Sequence, residues 1–313
     1  MIRLLSQYLI MLFTGMALTT ALPLLDGLER KFVRARIQSR VGPPVLQTYY
    51  DILKLFKKEL LVTYSATKLF VLAPPISFFI SVLALSLIPY SLSSSLGFEG
   101  DIILLVYLLV FSTLILLLGS LSSGNPIVEV SSSREISLVL TSELLVGITL
   151  AAIALKHGSL SMQVVSTKLL LTPSTIIAYV ALLYYAFIKS ARTPYDIAEA
   201  EPEIASGYLI EYSGPLLAFS ILSNLTRRFL VSSMFVVIAL GPLIHTSTSF
   251  ITLITFRSAA NALLTIGLSV LTYLLLGAAS IIHGRYRVTH ALESVKKYTL
   301  IPIISLMLAV MGL

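Results

Sequence analysis

Long apolar runs recur along this 313-residue chain and are separated by short polar breaks. A stretch of about 20 mostly apolar residues is long enough to cross a bilayer as a helix. In hydrocarbon every backbone N–H and C=O must be satisfied inside the chain, which leaves helices or closed barrels. Eight such runs stand out, near residues 4–25, 69–90, 102–121, 136–155, 173–189, 216–240, 258–282 and 298–313. They predict an all-α, polytopic membrane protein of about eight transmembrane helices, a single membrane domain over 1–313. The fifth and eighth runs are short, so their ends are soft. Ser91–Gly97 and Ser122–Pro126 read as breakers between spans. The first run is too long for the apolar core of a cleavable signal and has only Arg3 before it, so it reads as a span.

Composition agrees. Hydrophobic residues make up 57% and charged residues 12% of the chain, and the mean hydropathy is +0.94. A soluble domain carries about twice that charged fraction. The chain has no cysteine, so it forms no disulfide, thiolate zinc site or cysteine-ligated cluster of its own. His157, His245, His283 and His290 show no helical metal-ligand spacing. The expectation is no cofactor in this chain, with any redox metal carried by a partner. A net charge of +7 fits basic loops on one membrane face better than nucleic acid.

The basic residues set the predicted orientation. Residues 26–68 carry nine: Arg30, Lys31, Arg34, Arg36, Arg40, Lys54, Lys57, Lys58 and Lys68. Arg134 follows span three, Lys189 and Arg192 follow span five, and Arg285, Arg287, Lys296 and Lys297 follow span seven. Only Arg3, Lys156, Lys168 and Arg257 fall on the other side. Lys/Arg bias therefore predicts a multi-pass protein of the cytoplasmic membrane, with loops one, three, five and seven inside and both termini outside. Between the first two spans, residues 46–61 read as an interfacial amphipathic helix. Ile52, Leu53, Leu55, Phe56, Leu60 and Leu61 form its apolar side, and Asp51, Lys54, Lys57 and Lys58 its polar side.

Charge inside or beside hydrocarbon is the functional signal. Five of the fifteen carboxylates fall in one cytoplasmic loop: Asp196, Glu199, Glu201, Glu203 and Glu211. Glu199 and Glu203 are one helical turn apart, and Pro202 limits helix between them. Clustered acids at low dielectric take up protons more readily than usual; the same loop would also suit a basic docking partner. Glu143, inside span four, reads as a proton relay or as a structural acid satisfied by a neighbouring span. Arg134 lies nine residues upstream, about 13–14 Å along a helix, too far for a direct pair. Arg227 and Arg228 fall mid-way along span six, about 100° apart on a helix. Either one faces the bundle interior and the other points elsewhere, or the span breaks there. The turn Arg36–Pro44 would seat anionic lipid headgroups or a partner subunit.

These residues resemble a known family, the membrane-embedded H (or 1) subunit of respiratory complex I and the corresponding subunit of membrane-bound nickel–iron hydrogenases. Three segments carry the resemblance. One is Glu29, Arg30 and Lys31 with Arg40-Val-Gly-Pro43, Gln47, Asp51 and Lys54. The second is Arg134 with Glu143. The third is Arg192-Thr-Pro-Tyr-Asp196 followed by Glu199, Glu201, Glu203, Gly207 and Glu211-Tyr-Ser-Gly214. Arg285-Tyr-Arg287 is a weaker fourth. The compact Gly42-Pro-Pro-Val-Leu-Gln47, Ser131-Ser-Ser-Arg-Glu135 and Pro202 are more similar to the hydrogenase and formate hydrogenlyase branch, with which its sulfur-reducing offshoot shares this pattern.

The resemblance implies a non-catalytic subunit of a respiratory oxidoreductase that joins a peripheral redox arm to proton or sodium translocation. Iron–sulfur clusters and a nickel–iron centre would sit in partner subunits packed on the cytoplasmic side. Small membrane subunits, antiporter-like subunits and lipid would surround it in the bilayer. Glu143, Asp196, Glu199, Glu201, Glu203, Glu211, Arg134 and Arg227 would belong to the ion pathway. Glu29, Arg30, Arg36, Arg40, Gln47, Asp51, Lys54 and Arg192 would line a partner or quinone-like cavity. The rivals are a quinone-chamber component of an NADH- or deazaflavin-fed quinone oxidoreductase, a component of a sulfur-reducing complex, and a passive structural anchor.

Overall fold

A computed structural model describes residues 2–92, 97–199, 201–251 and 254–313, without the side chains of residues 2–11, 201, 202, 254 and 255. The Ser91–Gly97 breaker thus lies partly outside the described residues, as does the Glu201 side chain. Among the described residues the chain is helical, with no strand. The principal helices are α1 (Ile2–Leu28), α2 (Gln47–Lys57), α3 (Lys68–Ser86), α4 (Asp101–Leu121), α5 (Pro126–His157), α6 (Pro173–Lys189), α7 (Gly214–Phe235), α8 (Ile254–Ile282), α9 (Val288–Tyr298) and α10 (Leu300–Val310). Five helical stretches are long and apolar enough to cross a membrane: Lys68–Ser86, Asp101–Leu121, Pro126–His157, Gly214–Ser247 and Phe256–Ile282. The outward faces are apolar as well. Phe13, Tyr107, Leu140, Leu144 and Leu263 are exposed, as lipid-facing side chains must be. The protein is an all-α membrane protein.

Helix α7 is the central post. It packs against α1, α2, α3, α6 and α8, and small or hydroxylated residues recur among its buried positions. Ser220, Ser223, Thr226, Ser232 and Ser233 are all buried. Small residues let neighbouring backbones approach, and packing of this kind replaces the hydrophobic drive that lipid cannot supply. Ser77 on α3 donates to the Ser112 carbonyl of α4 at 2.6 Å and lies 2.8 Å from the Ser223 hydroxyl of α7. One serine thereby ties three helices. The remaining buried hydroxyls on α7 bond back to carbonyls three or four residues earlier, so none is orphaned in the core.

Several boundaries differ from the sequence reading. Helix α5 starts at Pro126, ten residues before the apolar run, because Asn125 caps it by accepting from the Ile127 N–H at 2.9 Å. Its polar first turns stand above the apolar zone. The interfacial helix α2 ends at Lys57, so Leu60 and Leu61 lie beyond it. It is held by buried Ile52 and by an edge-to-face contact of Phe56 with Phe219 on α7, with ring centroids 5.2 Å apart. A second amphipathic helix, α9, precedes the short α10. The hydropathy pattern did not separate it, because its eleven residues are too polar to register as a span. Ala291 and Val295 form its buried side and pack on α5. Span six does not break at its arginines: α7 runs through Arg227 and Arg228 without interruption.

Helix α1 continues past Leu28 into a π-helical turn, Glu29–Arg34. Widened turns of this type rotate the following side chains relative to an α-helix and are often found at functional sites. Here the turn carries Glu29, Arg30 and Arg34 at the end of the bundle that also holds the acidic loop.

Candidate functional site: an ionic network between the loop and the bundle

The loop between α6 and α7 (residues 190–213) folds back over the bundle end. Ser131 on α5 pins it by donating to the Ala198 carbonyl at 2.6 Å and accepting from the Tyr208 N–H at 2.9 Å. Gly207 makes the return possible. Its φ is +62°, and a Cβ there would stand 1.8 Å from the Ala198 carbonyl oxygen, so no side chain fits.

Arg192 and Glu29 sit at the centre, both fully buried and paired directly. Glu29 also accepts from Arg34 Nε at 2.9 Å. Arg192 donates to the Tyr273 carbonyl at 2.8 Å and lies 4.3 Å from that ring's centroid. The buried charges are therefore paired with each other, as burial requires, although Arg192 Nε has no hydrogen-bond partner. Packing closes the site, since a Cβ on Gly277 of α8 would come within 2.6 Å of the Glu29 carboxyl carbon. Beside this pair, Asp26 accepts from Arg30 Nε and from the Thr48 hydroxyl, each at 2.8 Å. Asp196 pairs with Arg285 at 2.9 Å. Burial pushes the Asp196 carboxyl up to about 6, with the Glu199 charge adding to the rise and Arg285 opposing it.

These groups wall a polar cavity of about 330 Å³, bounded by Asp26, Arg30, Arg34, Arg192, Asp196, Glu199 and Arg228 among others. A second, narrower cavity of about 30 Å³ lies deeper, lined by Glu135, Lys189, Tyr208, Asn224, Arg227 and Arg228 among others. That volume holds about two water molecules. Ala191, Asn224 and Arg228 line both cavities. Between them, Glu199 accepts from the Tyr208 hydroxyl at 2.8 Å and from Asn224 Nδ2 at 3.0 Å. Asn224 in turn accepts from Arg227. At the deep end Lys189 Nζ stands 2.8 Å from Glu143 Oε1, and the buried Tyr185 hydroxyl donates to the same oxygen at 3.3 Å.

The residues singled out by the sequence divide accordingly. Arg30, Arg192, Asp196 and Glu199 meet at the larger cavity, with Glu29 behind its lining residues Arg34 and Arg192; Arg227 lines the deeper one, with Glu143 behind Lys189. Glu203 does not share a face with Glu199. The helical turn spans only Glu201–Ile204, and Glu203 points to the rim, where it pairs with Arg134 at 2.8 Å. Arg134 thus serves the loop and not Glu143. Glu211 accepts from Asn125, away from the cavities. Arg36, Arg40, Asp51 and Lys54 are exposed on the flank, where Gln47 donates to Asp51 at 2.9 Å. Arg228, singled out with Arg227 as charge inside span six, lines both cavities, whereas Asp26, Glu135, Lys189, Asn224 and Arg285 carry no such signal in the sequence. Lys189 reads there as a loop cation and Arg285 as part of a terminal motif. Their roles come from partners on other helices. Among the described residues no group of three or more His, Asp or Glu side chains is placed to hold a metal.

The sequence profile of NADH dehydrogenases matches residues 8–312. The chain belongs to the NADH dehydrogenase family. Its similarity to the family spans both oxidoreductase branches. It is 34% identical over 223 residues to hydrogenase-4 component C of Escherichia coli, covering 70% of each chain. It is 30% identical over 269 residues to the H subunit of NADH-quinone oxidoreductase from Thermomicrobium roseum, covering 76% of this chain and 79% of the other. It is also 31% identical to formate hydrogenlyase subunit 4 of E. coli over 211 residues, covering 65% and 68%. The fold matches a chain of the membrane-bound sulfane sulfur reductase, an archaeal respiratory membrane complex, with a TM-score of 0.84 over 97% of this chain and 99% of that one, at 23% identity. Like its relatives, this NADH dehydrogenase family member is a component of a membrane-bound oxidoreductase complex.

Proposed function

We propose that the chain is the coupling subunit of an ion-translocating respiratory oxidoreductase. It anchors a peripheral redox arm on the cytoplasmic face and passes the electrostatic effect of electron transfer to ion-carrying partners in the bilayer. The arm would contribute iron–sulfur clusters and a nickel–iron or sulfur-reducing centre, and this chain would contribute only charges and hydrated space. Both termini face outward in this reading, which puts the acidic loop under the arm.

The observation that supports the reading is a polar cavity and a smaller one, charged groups set in a largely apolar lining, with a common wall at Ala191, Asn224 and Arg228. They join the loop acids to the Lys189–Glu143 pair, so a charge change at the loop is felt deep in the bundle. The energies are of the right size. One charge moved across 100 mV corresponds to about 2.3 kcal/mol, and one pKa unit to about 1.4 kcal/mol. Shifts of one or two units along the network would drive a transfer.

The test is Glu143→Gln in the complete purified complex, reconstituted in proteoliposomes. Redox turnover should persist while ion pumping is lost. A passive anchor would keep both. Parallel assays of hydrogen evolution, polysulfide reduction and quinone reduction on the same preparation assign the arm's chemistry. The quinone-chamber alternative draws support from the size of the 330 Å³ cavity, but the charged side chains of Asp26, Arg30, Arg34, Arg192, Asp196, Glu199 and Arg228 in its lining favour water and ions over a ring.

A further inference from the structure

Among the described residues, Glu135 is the deep acid that the coupling path does not use. It projects from α5 into the 30 Å³ cavity, half-buried, facing Lys189 and Arg227. Among the described residues it makes no hydrogen bond and no ion pair. Its neighbour Arg134 turns the other way, to Glu203. Glu143 stands two helical turns further along α5, about 12 Å in axial rise. Lys189, from α6, lines the cavity that holds Glu135 and contacts Glu143 at its deep end. The Lys189–Glu143 contact has ion-pair distance but not hydrogen-bond alignment, and the buried ammonium has no hydrogen-bond partner. Arg227 Nη1 and Arg228 Nε, on the opposite wall, are buried and unpartnered too. A buried ammonium with spare donors, set between two carboxylates on one helix, has two pairing positions.

We propose that Glu135 is the second carboxylate of an exchange centred on Lys189. The ammonium pairs with Glu143 in the state described here and with Glu135 in the other. This rests on the coupling reading and deepens it, by naming the element that changes state. The loop supplies the bias. Asp196 and Glu199 act on Glu135 through space, and Glu199 reaches Arg227 through Asn224. Protonating or displacing the loop acids leaves Arg227 and Arg228 less well compensated. That raises the pull on an ionised Glu135 and frees Lys189 for Glu143. Restoring the loop charge sends Lys189 towards Glu135 and releases Glu143 to take a proton from solvent, which it gives up to an ion-carrying partner when Lys189 returns. The step moves one proton and one ammonium, with no bond to carbon broken.

The experiment compares wild type, Glu135→Gln and Glu143→Gln in the intact complex in proteoliposomes. Ions pumped per electron pair are measured together with redox-induced infrared difference spectra in the carboxyl region. Glu135→Gln is expected to keep at least half of redox turnover and to lower pumping about tenfold, equivalent to about 1.4 kcal/mol. It should also abolish the Glu143 band, because Lys189 no longer has a second partner. A structural role for Glu135 would remove its own band and leave the Glu143 band in place. Wild-type pumping by Glu135→Gln, with Glu143→Gln inactive in pumping, overturns the exchange and keeps the coupling reading. Wild-type pumping by Glu143→Gln overturns the coupling reading itself. Should Glu135→Gln fail to assemble, Glu135→Asp retains the charge and withdraws it by one methylene. A joint shift of both carboxyl bands there supports the exchange, and an unchanged Glu143 band overturns it.

Discussion

At the scale of single residues, Glu29 and Arg192 form a buried ion pair at the end of the bundle. Two guanidinium groups contact the Glu29 carboxylate and no solvent reaches it. Removing one partner of such a pair leaves an uncompensated buried charge, at a cost of about 3–5 kcal/mol. Glu29→Ala should therefore lower stability by that amount, read as the shift in denaturation midpoint of the detergent-solubilised protein; Arg192→Ala should do the same. Asp196 behaves differently. Its carboxyl titrates at about 6, against an ordinary value of 3.8. The folded state then binds a proton that the unfolded chain has already released, so stability falls as pH rises through that window and is level above it. A protonated-carboxyl infrared band should be present below about pH 6, vanish above it, and be missing at every pH in Asp196→Asn.

At the scale of elements, the loop over the bundle end depends on backbone geometry that polar side chains alone do not supply. Ala191, Ala205, Ser206 and Gly207 all have positive φ, and three of the four carry a Cβ. Such strain persists only where the surroundings enforce it, and it concentrates at functional segments. Gly207→Ala adds about 1–2 kcal/mol for the left-handed conformation, on top of the clash with the Ala198 carbonyl. Limited proteolysis should then cut within residues 190–213 well before it cuts the wild type. At the far end of α6, Thr172 and Thr175 form a reciprocal capping box. Thr172→Ala should reduce stability by about 1 kcal/mol without touching ion pumping, which makes it a control for variants nearer the cavities.

At the scale of the molecule, charge bias predicts a topology that labelling can test. The chain has no native cysteine, so a single introduced thiol reports its own side. Val41→Cys, at a fully exposed position in the first loop, should react with an impermeant maleimide only from the cytoplasmic face. Leu313→Cys should react only from the opposite face. Reversed labelling would invert the topology and remove the loop from beneath the redox arm.

Much of this protein was legible in one dimension. Hydropathy decides where helices lie, because lipid leaves the backbone no other way to satisfy its polar groups, and α3, α4, α6 and α8 fall where the apolar runs do. An acid in a span or a loop crowded with carboxylates is visible for the same reason: few other residues cost so much there. The extension of α5, the amphipathic α9 and the end of α2 were less legible, since their polar turns depend on caps and on neighbouring faces. Pairing was not legible at all. That Lys189 meets Glu143, that Arg134 turns to Glu203, and that Asn224 links Glu199 to Arg227 depend on how α5, α6 and α7 rotate against one another. The sequence determined which charges the membrane must accommodate. Tertiary packing decided which of them meet, because ion pairing falls off within a few ångströms and only the folded bundle sets those distances.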